Sequence, residues 1–186
     1  MAVLVEAISA ITRRDAINAK YPGGWDAFVS AVPNATLCFD DRIARVGFMI
    51  PHDVELFIDR LTQSRLTFLA DGKAQDIAVA DQQRGLTAEC EWLEFGRFPF
   101  GSEGGKVSAC WFFDGPRLAA GVHLSGKSMD LATPPDWSFE GSLSDRFGFV
   151  PNGQEDERLE FLRKEDGVDV FLDRETGKEV CVGRNN

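Results

Sequence analysis

Apolar side chains recur with helical spacing in two segments near the start of the chain. The positions i, i+3, i+4 and i+7 are held by Trp25, Phe28, Val29 and Val32 in one segment and by Val54, Phe57, Ile58 and Leu61 in the other. This spacing predicts two helices, each with one apolar face. The sequence YPGG at 21–24 divides the first helical region, because proline cannot continue a helix interior.

Short apolar runs before and after these helices predict strands. Residues 5–13 have apolar side chains on both faces, and the runs 35–39, 43–50 and 66–70 are also strand-like. The second helix and its following strand repeat the first after a fixed interval, since Val54 lies 29 residues beyond Trp25. The resulting order, β-α-β-β-α-β, is that of ferredoxin-like proteins. We therefore predict an α+β fold in which an antiparallel or mixed sheet carries two helices on one face.

The rest of the chain predicts further strands around that core. The runs CEWLEFGRF (90–98) and KVSACWFFDG (106–115) alternate like strands, and the Gly-rich connection RFPFGSEGG (97–105) predicts a mobile loop. Beyond them we predict a loop, a short helix in GQEDERLEFLRKEDG (153–167) and a C-terminal hairpin in VDVFLDRETGKEVCVGR (168–184). The predicted division is a core domain at 1–115 and a C-terminal extension at 116–186, packed on the same core.

Composition narrows the class of protein. The 186 residues are 44% hydrophobic and 27% charged, with a formal net charge of −10. An acidic field repels phosphate backbones, so we predict no nucleic-acid partner. No apolar run approaches the roughly 18–20 residues of a membrane helix, so we predict a cytoplasmic protein without a membrane partner. The four cysteines form no C-x-x-C pair and predict reduced thiols in the core.

Few residues in the chain are typical of a catalytic centre. The only histidines are His52 and His123, and no G-x-S-x-G motif is present. Asp76, Glu94 and His123 are the donors that strands could bring together around a metal, but their spacing does not require it. The segment GSEGG lacks the lysine and hydroxyl of a phosphate-binding loop. We predict no metal and no cofactor.

The segment 45–95 resembles half of a module of the vicinal oxygen chelate, or glyoxalase-like, superfamily. The likeness is carried by RVGFMIPHDVELFIDRLTQSRLTFL, DIAVAD and CEWLEF. That superfamily repeats a β-α-β-β-β unit and usually places a histidine in its first strand and a glutamate in its last. Glu94 matches the glutamate, whereas Arg45 stands where the histidine is expected. The resemblance implies a strand–helix module with a role for Glu94.

Polar and aromatic residues between 81 and 113 are the predicted binding site, because loops at strand ends and half-buried aromatics favour contact with ligands. The candidates are Asp81, Gln82, Gln83, Arg84, Trp92, Glu94, Arg97, Phe98, Phe100 and Trp111, with His123 from the following segment.

The function predicted first is a non-catalytic binding module, either an inhibitor or immunity-type protein that covers a basic partner or a sensor of a small molecule. The alternative is a small enzyme with a carboxylate-based site that pairs Glu94 with Arg97 or His123. A structural subunit of a larger assembly is the third reading. A homodimer is compatible with each of them.

Overall fold

Residues 1–100, 105–113, 130–146, 159–165, 168–174, 177 and 179–183 are described in a computed structural model of the chain. The helices are α1 (Arg14–Lys20), α2 (Gly24–Ala31), α3 (Pro51–Gln63) and α4 (Leu143–Arg146). The strands are β1 (Ala2–Val5), β2 (Ile8–Arg13), β3 (Cys38–Phe39), β4 (Ile43–Phe48), β5 (Leu69–Ala70), β6 (Lys73–Ala74), β7 (Ile77–Asp81), β8 (Gly85–Leu86), β9 (Glu89–Cys90), β10 (Leu93–Phe100), β11 (Gly105–Phe112), β12 (Leu131–Ala132), β13 (Leu159–Glu165), β14 (Val168–Asp173) and β15 (Glu179–Gly183). Helices and mainly antiparallel strands together are compatible with the predicted α+β class.

The central sheet has five strands in the order β3-β4-β2-β7-β8, and every neighbouring pair is antiparallel. In β2, Ala10 lies opposite Val46 of β4 and Val79 of β7. Successive side chains of a strand point to opposite faces, so these three share one face and Ile11 lies on the other. Both faces are buried, which explains why apolar residues occupy consecutive positions here.

Helices α1, α2 and α3 cover one face of the central sheet and form the helical core. The predicted face of α3 is confirmed, since Val54, Phe57, Ile58 and Leu61 are all buried. On α2, Phe28 is buried in the same core, but Val29 is 38% exposed, so the predicted apolar face is narrower than the spacing implied. The break between α1 and α2 is also as predicted: Gly23 has a φ of 84°, and a Cβ there would lie 2.7 Å from the Cβ of Ala27.

Two of the predicted strands are placed differently. The single strand predicted at 5–13 is divided at Glu6–Ala7, so that β1 and β2 belong to different sheets. Ala7 has a left-handed φ of 48°, and its backbone N–H donates to Oε1 of Gln82 at 2.9 Å. The strand predicted at 66–70 shrinks to β5 and joins β6 and β9 in a separate small sheet. Asp76 closes the base of the β5–β6 hairpin, because its carboxylate accepts the N–H of Thr67 at 2.8 Å.

The second sheet has the order β10-β11-β1-β12 and packs on the other face of the central sheet. The inter-sheet core lies between them and includes Val3, Ile11, Cys38, Ile43 and Cys110. β10 and β11 pair over their whole length, from Leu93 with Phe112 to Phe100 with Gly105. The prediction of a loop over 97–105 is therefore wrong for residues 97–100, which end β10, and for Gly105, which begins β11. Residues 101–104 lie outside the described residues.

Residues beyond 115 supply one strand to the second sheet and a separate C-terminal sheet. Short β12 pairs in parallel with β1, and β13-β14-β15 form an antiparallel three-stranded sheet. The short helix predicted in 153–167 is wrong for residues 159–165, which are the strand β13, and the rest of that segment lies outside the described residues. A bulge between Phe161 and Arg163 inserts an extra residue, which gives the apolar positions a spacing that imitates a helix. None of the helices described in the chain has the length and hydrophobicity needed to cross a bilayer.

Candidate functional site

A cleft of about 550 Å³ opens where the chain passes between the two sheets at Glu6–Ala7. One side is formed by the end of β4 and the start of α3, including Phe48, Met49 and Ile50, and the opposite side is formed by the segment 134–137. Most of these wall residues are apolar. Cavities of this size and character are typical of small-molecule sites.

Arg45 of β4 lies at the floor of the cleft. Its neighbours Ala44 and Val46 lie in the helical core, so the Arg45 side chain points to the opposite face of the central sheet. It is only 2% exposed there. Three hydrogen bonds hold the guanidinium. Nε donates to Ser9 Oγ at 2.8 Å, Nη2 donates to the carbonyl of Glu6 at 2.8 Å and Nη1 donates to the carbonyl of Thr36 at 3.2 Å.

The buried charge of Arg45 is not neutralised by an ion pair within the described part of the chain. Burial lowers the pKa of Arg45, and the nearby Cys38 and Glu6 side chains act in the opposite direction. Arginine nevertheless stays protonated in proteins, so a positive charge is held in a place where water solvates it poorly. A guanidinium has five N–H groups. Ser9, Glu6 and Thr36 accept three of them, and the Cys38 side chain is a fourth hydrogen-bonding partner, which leaves one N–H for a further acceptor.

Gly47 is required for this placement of Arg45. A Cβ built at Gly47 would lie 2.4 Å from Nη2, 2.7 Å from Cζ and 2.9 Å from Nη1 of Arg45. The backbone of residue 47 therefore lies directly against the guanidinium, which any larger residue would displace. The peptide groups of Gly47 are themselves fixed, because its N–H donates to Thr36 Oγ1 at 2.7 Å and its carbonyl accepts from Asn34 Nδ2 at 2.8 Å.

Glu6 forms the wall next to Arg45. Its Oε1 accepts hydrogen bonds from the backbone N–H and the hydroxyl of Ser144, at 2.9 and 2.7 Å, and its Oε2 accepts from Trp137 Nε1 at 3.2 Å. These bonds anchor the segment 137–144 against the start of the chain, so Glu6 closes the cleft as well as giving it a negative charge.

Two further carboxylates stand at the mouth of the cleft. Asp53 lies in the first turn of α3, and Asp136 has a left-handed φ of 59°, and both are exposed. The charged residues of the cleft are therefore one cation at the floor and three carboxylates above it. Counting Arg45 as +1 and Glu6, Asp53 and Asp136 as −1 each gives a local charge of −2.

The turn predicted as a binding loop is tied to the protein itself. Oδ1 of Asp81 accepts the N–H groups of Gln83 and Arg84, each at 2.8 Å, which closes the turn. Gln82 is buried and connects the two sheets, because its side chain bonds to Ala7 and its carbonyl accepts the hydroxyl of Ser108 at 2.7 Å. The polar residues of this turn therefore stabilise the turn itself and connect the two sheets.

The predicted aromatic candidates pack within the fold. Trp92 is buried and its Nε1 donates to the carbonyl of Ala74 at 3.2 Å. Trp111 contacts Phe98 with ring centroids 5.6 Å apart. Phe100 stacks on Phe139 at 5.2 Å.

The charged candidates are dispersed. Nη2 of Arg97 donates to the carbonyl of Gln83. Glu94 pairs with Trp111 on the face of the second sheet that points away from Phe95 and Cys110. The structure therefore does not bring Glu94 together with Arg45, the two positions singled out by the glyoxalase-like resemblance. His123 lies outside the described residues. Within those that are described, no three His, Cys, Asp or Glu side chains converge as metal ligands.

In the sequence, Arg45 is singled out only by its place in that resemblance. The run IARVGFMI carries one signal that could have found the site, a charged residue in the middle of an apolar strand with glycine two positions later. Residues two apart share a face of a strand, so the glycine marks space for a large neighbour. Glu6, Asn34, Thr36 and Trp137 carry no comparable signal.

Comparison with known proteins gives no match for this chain: no family model, no characterised protein and no solved structure corresponds to it.

Proposed function

We propose that this protein is a non-catalytic binding module whose recognition site is the cleft above Arg45. The observation that carries the proposal is the buried guanidinium at the floor of an open cavity, with no carboxylate paired to it among the described residues. A buried charge is costly unless it is paired. An acceptor on a ligand would supply the missing partner.

The cleft supports binding better than catalysis. The described residues that line it include no histidine, cysteine or lysine. Its one sheltered carboxylate, Glu6, already accepts three hydrogen bonds from Trp137 and Ser144. General acid–base catalysis most often uses histidine, which is absent from the described lining of the cleft.

The volume of the cleft and the burial of its cation favour a small molecule over a protein partner. A protein interface usually covers a broad surface of about 800 Å² on each partner. Here the cation lies almost out of reach of solvent, below walls made by Met49, Pro135 and Trp137. Only a slender ligand group reaches such a floor. Of the predicted readings, the sensor of a small molecule is the one that we propose.

We also propose that the central sheet is a ferredoxin-like unit. If β2, β3, β4 and β7 are numbered one to four, their order across the sheet is 4-1-3-2 with every neighbour antiparallel. Helices α1 and α2 connect the first strand to the second, and α3 precedes the fourth. The β-α-β-β-α-β order of such units has the same connections. The second sheet is then an addition, and the cleft lies where the two meet.

The proposal is tested by filling the cleft with a larger side chain and measuring whether ligand binding is lost. Met49 is 40% exposed and lines the mouth, so Met49→Trp fills the opening without disturbing the core. Leu56 on α3 is 44% exposed and lies outside the lining, so Leu56→Trp is the matched control. A library of small metabolites is screened against wild type by ligand-observed NMR. We expect the compounds that bind wild type and Leu56→Trp to lose binding to Met49→Trp. Equal binding to all three proteins, or no binder at all, contradicts the proposal.

A further inference from the structure

The charges in the cleft point to the chemical class of its ligand. We propose that the cleft binds a small zwitterion, an α-amino acid with an apolar or aromatic side chain, whose carboxylate contacts Arg45 and whose ammonium group lies among the carboxylates above it. This inference rests on the proposed function, since it assumes that the cleft is a binding site, and it adds the identity of the groups that are recognised.

The floor of the cleft selects the anionic end of the ligand. The remaining N–H of the Arg45 guanidinium can donate to one carboxylate oxygen, and charge-assisted bonds of this kind are stronger than neutral ones. Arg45 cannot turn away to find another partner, because Ser9, Thr36 and Glu6 hold three of its N–H groups and Gly47 covers its face. The donor is therefore preorganised, and little entropy is lost when a carboxylate binds.

The upper part of the cleft excludes a ligand that is only an anion. Glu6, Asp53 and Asp136 outnumber Arg45, and the whole chain carries a net charge of −10. A simple carboxylate entering this field meets repulsion before it reaches the floor. A ligand that carries an ammonium group is attracted at the mouth, and the same ligand satisfies Arg45 when its carboxylate reaches the floor.

The walls determine what joins the two charged groups. Pro134, Trp137 and Leu143 on one side and Phe48 and Met49 on the other present apolar surface between the floor and the mouth. An apolar or aromatic side chain buries area against these residues, and Trp137 offers a flat ring for it. A volume of about 550 Å³ accommodates a free amino acid of this kind.

Three related probes test the assignment on the unmodified protein. L-phenylalanine has both charged groups, N-acetyl-L-phenylalanine lacks the ammonium charge and L-phenylalaninamide lacks the carboxylate. We expect L-phenylalanine or L-leucine to bind in calorimetry or thermal-shift assays, and each derivative to bind about 10- to 100-fold more weakly, the effect of losing one hydrogen-bonded charge. The comparison does not depend on a variant of Arg45 folding correctly.

A pair of variants tests the ammonium end separately. Asp53→Asn with Asp136→Asn removes two charges at the mouth, and asparagine tolerates the left-handed backbone at position 136. The matched control, Asp26→Asn with Asp59→Asn, removes two exposed charges from helices away from the cleft. We expect the first pair alone to weaken binding of L-phenylalanine and to leave the affinity for N-acetyl-L-phenylalanine unchanged or increased.

The outcomes separate this inference from the proposed function. If N-acetyl-L-phenylalanine binds as well as L-phenylalanine, the cleft recognises an anion alone and the inference is overturned. If L-phenylalaninamide binds as tightly as L-phenylalanine, Arg45 does not recognise the ligand carboxylate, and the inference is again overturned. If neither amino acid binds while other screened metabolites bind in a Met49-dependent way, the zwitterion is wrong and the proposed function stands. If nothing binds in the cleft, both are wrong.

Discussion

The two faces of the central sheet are buried in different ways. The helical core brings aromatic rings together, with the centroids of Phe28 and Phe57 6.4 Å apart and those of Phe48 and Phe57 5.3 Å apart. The other face carries Ser9 and Arg45 alongside Ile11 and Ile43. The helical face is closed mainly by apolar packing, with Thr12 as a buried polar member, whereas the other face is held partly by hydrogen bonds to the buried guanidinium of Arg45.

The difference shows where this protein gives up stability for a specific arrangement. A buried arginine without an ion-pair partner contributes less to stability than an apolar residue of similar volume, because its desolvation is not fully offset. Among the described residues, Arg45 is the one buried cation, and it lies on the face opposite the helical core. The polar face therefore marks the side of the sheet on which recognition is expected, and perturbations of the two faces should have different signatures.

The largest effect is expected in the helical core. Phe28 is 1% exposed and contacts Tyr21, Trp25 and Phe57. We expect Phe28→Ala to lower the free energy of unfolding by about 3–5 kcal/mol, because it leaves a cavity among these rings. The measurement is urea denaturation, with Val29→Ala on the same helix as the exposed control. Equal losses for the two variants would contradict the packing described here.

A smaller effect is expected where Gly47 meets Arg45. Gly47→Ala forces the guanidinium aside and should cost about 1–3 kcal/mol, the range for overpacked sites. The loss should shrink in an Arg45→Met background, because an unbranched methionine gives way more easily. A double-mutant cycle measures this coupling. If the two changes are additive, the contact between Gly47 and Arg45 is not what constrains position 47.

The smallest effect is expected at the exposed pair of Arg13 and Asp15. Hydrogen bonding to Arg13 lowers the pKa of Asp15, and the same pair raises the pKa of Arg13. A depressed carboxyl pKa means that the contribution to stability is present above the unfolded value, about 3.9, and is lost as the pH falls through the folded value. We expect Asp15→Asn to cost at most about 0.5 kcal/mol at pH 7, since exposed pairs are worth little.

The control for the Asp15→Asn prediction is the pH dependence of the unfolding free energy. The difference in unfolding free energy between wild type and Asp15→Asn should disappear in acid, below the lowered pKa of Asp15. It should also decrease with added salt, which screens exposed charges. A difference that grows in acid would show that Asp15 acts through something other than its charge.

The same contrast explains what the sequence could predict. The burial of α3 follows from helical spacing within 13 residues, so the sequence alone contains it. The division of 5–13 into two strands depends on Gln82, which is 75 residues away from Ala7. A period-two pattern does not show such a break, because apolar residues continue on both sides of it, at Val5 and at Ile8.

The candidate site was beyond sequence reasoning for a related reason. Glu6 is bonded to Ser144, 138 residues later, and Arg45 is bonded to the carbonyl of Glu6, 39 residues earlier. An arginine in a strand is ordinarily expected to face solvent. Arg45 is buried because the second sheet packs on the face of the central sheet to which its side chain points. The sequence instead favours the aromatic segment 92–111 as the binding site. Large side chains in a Gly-rich region have the same sequence pattern whether they pack in the core or bind a ligand.

The most direct test of the central claim observes the Arg45 side chain itself. In a ¹H–¹⁵N NMR spectrum, the Nε–H of an arginine that is buried and hydrogen-bonded exchanges slowly with water and gives its own signal. We predict one such signal that is absent from Arg45→Met and shifts progressively as L-phenylalanine, or a metabolite that binds in the screen, is added. A signal that stays unchanged when the ligand is fully bound would show that Arg45 is only a structural residue, and would contradict the assignment of the cleft as the recognition site.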